Sequence, residues 1–195
     1  MISAILLAAG ESRRMGNFKQ LLQWNGKTFV ECCVDNLLAA GVEEIFVVTG
    51  HREKDVRHAL AHRNVKFIFN ADYKAGMSSS IISGVAALPE KTTAILIALA
   101  DQPQIDANII KKVIAVFETR QPLLVVPAFE NRRGHPIILS AKLKQEIFAI
   151  DPQEGLRQVV QAHQDETIYV EVTDKAVLLD FDYPQDYEKF LSENG

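Results

Sequence analysis

Short apolar runs separated by stretches of helical spacing recur along the whole chain, and this rhythm constrains the fold more than any other feature. Residues 2–7, 44–49, 65–69, 93–100, 123–127 and 167–172 are such runs. Their near-continuous hydrophobicity and short length are those of strands buried on both faces of a parallel sheet. Residues 29–38, 55–62, 77–88 and 108–118 lie between them and carry apolar side chains at helical spacing. Thr28 with Glu31 three residues later has the form of a capping box, and Gly41 suits the position just past that helix. A strand of opposite direction is expected at 135–139, with short helices near 141–148 and 155–162. A final helix starts from Gln185, with Pro184 in its first turn. Alternation of this kind predicts an open, mostly parallel α/β sheet in three layers, α/β/α, with residues 1–195 forming one domain.

Composition narrows the choice of partner. The net charge is −4, so bulk electrostatics favour neither nucleic acid nor an anionic membrane. No stretch approaches the ~18–20 apolar residues of a membrane span, and Met1-Ile2-Ser3 lacks a basic leader. A cytoplasmic location is expected. Cys32 and Cys33 are adjacent within a helical pattern, where they read as small packed side chains rather than a staple or metal site.

In open α/β sheets ligands bind at the carboxyl ends of the strands. Gly10, Gly50, Asn70, Asp101 and the pair Asp180/Asp182 all fall near that edge. The first strand ends in Ala8-Ala9-Gly10, where small side chains let the backbone approach a ligand and its N–H groups hold anionic oxygens. Arg13, Arg14 and Lys19 add positive charge in the following loop, so a polyphosphate is the expected guest. The spacing is not that of a P-loop, because Asn17 follows Gly16 where Lys is needed. No G-x-G-x-x-G is present either. On these residues alone, a plain strand-to-helix turn with solvated arginines stays open.

The remaining candidates are acidic, hydroxylic or imidazole groups. Asp101 follows the most hydrophobic run and would be costly there without a cation, for which Mg²⁺ is the expected hard ion; a helix cap or turn is the alternative. Asp180 and Asp182, one residue apart, point to one face of an extended segment and repel unless a metal or base lies between them; capping the last helix is their alternative. Ser78, Ser79 and Ser80 open a helix, as simple caps or as a seat for a polar ligand. His135, flanked by Gly134 and Pro136, either packs a turn or faces a second, anionic substrate with Arg132 and Arg133. His51 is a weaker candidate, and His58, His62 and His163 read as surface residues of helices. Together these groups suit nucleotidyl transfer, in which positioning and charge neutralisation do most of the work.

The run Leu7-Ala8-Ala9-Gly10-x-Ser12-x-Arg14-Met15-Gly16-x-x-Lys19-x-Leu21-Leu22 resembles the signature loop of the MobA-like nucleotidyltransferases. The later segments Thr49-Gly50-His51, Gly76-Met77-Ser78-Ser79-Ser80, Asp101-Gln102-Pro103, Gly134-His135-Pro136 and Asp180-Phe181-Asp182 are similar to the molybdenum cofactor cytidylyltransferase branch. The resemblance implies a Rossmann-like nucleotidyltransferase fold that joins CTP, or another NTP, to the molybdenum cofactor. The product would be a cytosine dinucleotide cofactor for xanthine-dehydrogenase-type hydroxylases, with one such apo-enzyme as a partner.

By the same resemblance, Leu7, Ala8, Ala9, Gly10, Arg14 and Lys19 bind the nucleotide, and Asn70 with Gly76–Ser80 contacts base and ribose. Arg14, Lys19 and Asp101 would be catalytic. Asp101 would bind Mg²⁺ with Asp182 or Asp180, while His135, Gly134 and Gln102 would face the pterin. The sequence departs from the family pattern at Tyr183, where a threonine is usual, which adds bulk on the metal side.

Overall fold

The computed structural model describes residues 1–194; Gly195 lies outside the described residues. The chain opens with β1 (Ile2–Ala8), then the small hairpin β2 (Gln23–Trp24) and β3 (Lys27–Thr28), which feeds α1 (Phe29–Ala39). β4 (Glu44–Thr49), α2 (Glu53–Ala59), β5 (Lys66–Phe69), α3 (Met77–Ala86) and β6 (Ala94–Leu99) follow. After α4 (Ala107–Arg120) come β7 (Leu124–Phe129), β8 (Arg132–Arg133), β9 (Ile137–Ser140), α5 (Lys144–Phe148) and α6 (Leu156–Ala162). β10 (Thr167–Glu171) and α7 (Pro184–Asn194) complete the fold.

The main sheet runs β10-β7-β9-β6-β1-β4-β5, with β8 paired to β7. All neighbours are parallel except β9, which is antiparallel to both β6 and β7, and the β7–β8 ribbon. Period-two alternation of side chains divides the core into two layers. Ala4, Leu6 and Ala8 face a layer that includes Val34, Val56 and Val113 of α1, α2 and α4. Ile5, Leu7 and Ala9 face Ile81, Val85, Ile147 and Val159 of α3, α5 and α6. The expected three-layer arrangement and the reversed strand near 137 are both present.

Thr28 caps α1 through the expected reciprocal bonds with Glu31, and Gly41 ends it at φ +89°. α2 runs from Glu53 to Ala59, earlier at both ends than expected. Left-handed Arg52 starts it, and beyond Leu60 the chain turns so that Arg63 reaches Glu31 at 2.9 Å and Asp35 at 2.7 Å. The β2–β3 hairpin was not anticipated; Asn25 and Gly26, both at positive φ, form its turn. Cys32 and Cys33 are buried free thiols, and burial pushes the Cys33 thiol well up. His163 is more than a surface residue, since its ring bridges Glu146 and Glu166, whose carboxylates raise its pKa.

Two close approaches set the distances around the sheet edge. A Cβ on Gly84 would stand 2.8 Å from Ile5 Cγ2, so glycine lets α3 lie close on β1 and β4. Gly134 donates its N–H to the Pro127 carbonyl at 2.8 Å and sits against Val177, with an added Cβ 2.7 Å from the Val177 Cβ. Gly134→Ala is therefore expected to destabilise the fold by about 1–3 kcal/mol. Thermal denaturation checks this, and an unchanged melting temperature would refute the close approach.

A third cluster docks the carboxyl-terminal segment. Phe29, Phe181 and Phe190 interlock, with ring centroids 5.1 Å apart for Phe29–Phe181 and 4.9 Å for Phe181–Phe190. Trp24 lies 5.0 Å from Phe190, and the Tyr187 hydroxyl donates to the Gln23 carbonyl at 2.6 Å. This packing brings Asp182, from the far end of the chain, against the loop after β1.

Candidate active site

An open cavity of about 620 Å³ lies across the carboxyl edge of the parallel strands. β1 contributes Leu7, with Ala9 and Gly10 just beyond it. Gly76, Met77 and Ser80 come from the start of α3, and Leu99, Asp101 and Gln102 from the end of β6. Because β9 runs against its neighbours, the residues that precede it, Gly134 and His135, arrive at this same edge. Arg132 and Arg133 join them from β8, and Asp180 and Asp182 arrive on the segment before α7.

Loop 10–19 folds back on itself through its own polar side chains. Ser12, at φ 54°, accepts from the Lys19 amide at 3.1 Å and donates to Gln20 Oε1 at 3.3 Å. Gln20 in turn donates to the Gly10 carbonyl at 3.3 Å. Phe18 is buried beneath this turn, with the Arg52 guanidinium 5.1 Å over its ring. The result fixes Lys19, whose side chain is only 10% exposed, with its ammonium aimed at the cavity wall.

Lys19 Nζ lies 2.9 Å from Asp182 Oδ1 and 3.5 Å from Asp101 Oδ2. Arg14 Nη1 reaches the other oxygen of Asp182 at 3.0 Å. Donation by Lys19, with the positive charge of both basic groups, holds the Asp182 carboxyl below the usual range. Asp101 goes the other way: burial raises its pKa and the Asp180 charge adds to the rise, against the pull of Lys19. Asp180 instead accepts from Gln102 Nε2 at 3.2 Å, so the two acidic groups of the tail have separate partners. Neither caps α7; Asp186 does, accepting from the amides of Asp182 and Tyr183 at 3.0 and 2.8 Å.

Other residues singled out from the sequence are placed differently. Arg13 turns away to Glu11 at 2.6 Å, so the cationic group reduces to Arg14 and Lys19. Ala8 is fully buried beneath the edge. Asn70 is buried and donates to the hydroxyls of Ser79 and Ser80 at 2.9 and 3.0 Å, which makes it a brace for the start of α3. Ser78 donates to the Pro152 carbonyl, and Ser79 to the carbonyls of Asp72 and Gly76, so of the three serines Ser80 lines the cavity. His51 packs edge-on against Phe18, 5.6 Å between centroids. His135 lines the cavity, and burial lowers its pKa against the opposing charge of Asp180, which favours a neutral imidazole.

Gln20, Tyr73, Val177 and Leu178 also line the cavity and were not anticipated. Gln20 had a signal in its position beside Lys19, and Tyr73 in its place between Asn70 and Gly76. Val177 and Leu178 lie in a 3-10 turn that only tertiary packing brings to the edge.

Two carboxylates, Asp101 and Asp182, share one cation here, an ammonium. That donor set suits a hard divalent ion, which takes one or two carboxylates and completes its shell with phosphate oxygens and water. No helix among the described residues is long and apolar enough to cross a membrane.

Residues 4–167 match the family model of the MobA-like NTP transferase domain. The chain is 27% identical over 187 residues to the molybdenum cofactor cytidylyltransferase of Escherichia coli (strain K12), covering 95% of this chain and 93% of that one. It is 30% identical over 151 residues to the nicotine blue oxidoreductase of Paenarthrobacter nicotinovorans, covering 73% and 72%. The crystal structure of Rv0371c from Mycobacterium tuberculosis H37Rv superposes with a TM-score of 0.86 at 25% identity, over 98% of this chain and 97% of that one. That protein has also been solved in complex with manganese.

Proposed function

The chain belongs to the MobA-like NTP transferase family, and from that membership we propose that it joins CTP to the phosphate of the molybdenum cofactor, releasing pyrophosphate. The observation that carries the reading is the pairing of the Lys19 ammonium, just behind the lining, with Asp101 and Asp182 on the wall of one cavity. A buried ammonium next to two carboxylates can exchange partners when a triphosphate arrives with its own cation. Asp101 and Asp182 would hold a divalent ion, Mg²⁺ or Mn²⁺, which when bound neutralises phosphate charge and polarises the reacting phosphorus.

The chain's own residues do the rest. The backbone at Ala9 and Gly10 approaches the triphosphate closely. Lys19 and Arg14 offset the charge that develops on the departing pyrophosphate. An oxygen of the acceptor phosphate bonds to the α-phosphorus; the bond from that phosphorus to the bridging oxygen breaks, and its electron pair leaves with pyrophosphate. Gly76, Met77 and Ser80 border the base and ribose, with Asn70 holding Ser79 and Ser80 in place. Gln102, Gly134 and His135 form the acceptor side. A cytoplasmic enzyme of this kind would pass its dinucleotide cofactor to a xanthine-dehydrogenase-type apo-hydroxylase.

Pyrophosphate release measured with each nucleoside triphosphate, with and without molybdenum cofactor, tests the reading. Turnover is expected with CTP and the molybdenum cofactor, above that with GTP, and only with a divalent ion added. Full turnover on a sugar phosphate would replace the acceptor. An oxidoreductase activity, as in the Paenarthrobacter relative's name, would leave pyrophosphate at background with every nucleotide.

A further inference from the structure

The stretch from Leu179 to Asp182, which carries both tail carboxylates to the cavity, forms neither strand nor helix. Side chains from elsewhere must therefore set its distance from Asp101. Two of these are glutamines in the turn that follows Asp101 itself. Gln104 Nε2 donates to the carbonyls of Ala176 and Leu179 at 3.1 and 3.0 Å. Gln102 Nε2 donates to the same Leu179 carbonyl at 3.4 Å and to Asp180 Oδ1 at 3.2 Å. We propose that Gln104, which lies outside the cavity lining, is a positioning residue for the divalent ion: its amide holds the Leu179 carbonyl and so fixes the gap between Asp101 and Asp182. That role rests on the transferase reading and deepens it by naming what governs the metal site.

Both glutamines are held against a penalty. Among the described residues, the Oε1 atoms of Gln102 and Gln104 are buried without a hydrogen-bond partner. A buried orphan acceptor is unfavourable, and an apolar side chain of the same length would avoid it. The amides cannot be turned over to relieve this, because every partner of the two Nε2 groups is an acceptor. Two orphan oxygens kept around one backbone carbonyl point to the position of that carbonyl, rather than to stability, as what the pair secures.

The two bodies that Gln104 joins are each braced. Behind it, Asn36 of α1 donates through Nδ2 to the carbonyls of Pro103 and Ile105 at 3.1 and 2.9 Å. In front, Asp174 accepts from the Ala176 amide at 2.8 Å, and the Leu179 amide donates to the Ala176 carbonyl at 3.2 Å, closing the turn. Phe181 anchors the tail in the aromatic cluster, and the glutamines tie it to the loop that carries Asp101. Asp101 stands three residues before Gln104, and Asp182 three residues beyond Leu179. A shift at the clasp is therefore passed to both carboxylates with little slack. Groups that hold metal ligands in place from behind commonly change metal affinity by about 10–100-fold.

The test is Gln104→Met, which removes the donors and the orphan oxygen together. Each carbonyl keeps a partner, the Leu179 amide for Ala176 and Gln102 for Leu179, so the melting temperature should stay within about 2 °C of the native value. Mn²⁺ binding is followed by electron paramagnetic resonance on the full chain, with a saturating non-hydrolysable CTP analogue and no acceptor. The Kd for Mn²⁺ should rise about 10-fold. In the pyrophosphate assay the variant should need more metal, yet regain the native kcat to within about twofold once metal saturates, a split that a damaged fold would not give. Unchanged Mn²⁺ affinity would overturn the role and leave the transferase reading standing, as would a loss of kcat that saturating metal does not restore. A native protein that binds no Mn²⁺ with any nucleoside triphosphate analogue would remove that reading and this role together.

Discussion

Replacing Lys19 with methionine is expected to cut the rate of pyrophosphate release by about 10²–10³-fold, the scale seen when one preorganised charge donor is removed from an active site. Methionine fills much of the same buried slot, so the protein should remain folded. Arg14 offers no substitute: its side chain is 68% exposed and already committed to Asp182. Lys19→Arg should not rescue, because a planar fork does not fit a slot in which the side chain is 10% exposed.

The same variant has a signature in stability. Asp182 has a depressed pKa in the folded protein, so its ion pair contributes above the unfolded value of about 3.9 and is lost as pH falls through the folded value. Asp182 is 45% exposed, so the contribution is screened and modest. Lys19→Met should therefore flatten the acid limb of the stability profile. Steady-state assay and melting curves between pH 2 and pH 7 check both effects. Activity within threefold of the native protein would remove Lys19 from the chemistry.

The second large effect is expected at Asp101. Asp101→Asn should abolish the response to Mg²⁺ or Mn²⁺ and lower turnover by a similar factor, yet the variant should melt at the same temperature as the native protein or higher. The carboxyl is held where burial and Asp180 both work against its charge, so a neutral amide of the same shape relieves a cost in the metal-free protein. A group that destabilises the fold while completing a site is the usual form of the trade between activity and stability. Asp180→Asn, whose carboxylate bonds Gln102 rather than Lys19, should keep most of the metal response. A fall in melting temperature for Asp101→Asn together with unchanged metal dependence would show that the residue is structural.

The frame was legible because most of the longer strands announce themselves twice, by an apolar run and by a small or polar residue at the carboxyl end. Asp101 after β6 and Gly10 after β1 are found that way without any knowledge of tertiary contacts. What escaped was of two kinds. Elements of two residues, such as β2, β3 and β8, are too short to show alternation; Asn25-Gly26 was the only local mark of the first hairpin. The other kind is ownership of polar side chains. Asn70 and Ser78 have the chemistry of ligand-binding groups, yet their hydrogen-bonding atoms are spent on Ser79, Ser80 and Pro152. Arg13 and Arg14 are adjacent and alike, and only Glu11 on one side and Asp182 on the other separate their fates. The aromatic packing of Phe29, Phe181 and Phe190 decided which tail aspartate meets Lys19, and its parts lie too far apart in the chain to be paired by pattern.

The reversed strand β9 divides the labour of the cavity. Everything that would grip the nucleotide comes from ends of parallel strands, from the start of α3 or from the docked tail. Most of the opposite wall is one excursion, out along β8 and back into β9, with Gln102 added from the end of β6. Residues 130–133 of that excursion can be rewritten or lengthened without touching the side chains that would grip the triphosphate, while Gly134 stays fixed by its close approach to Val177. A scaffold wired this way can acquire a new clientele by changing one short stretch of its gene.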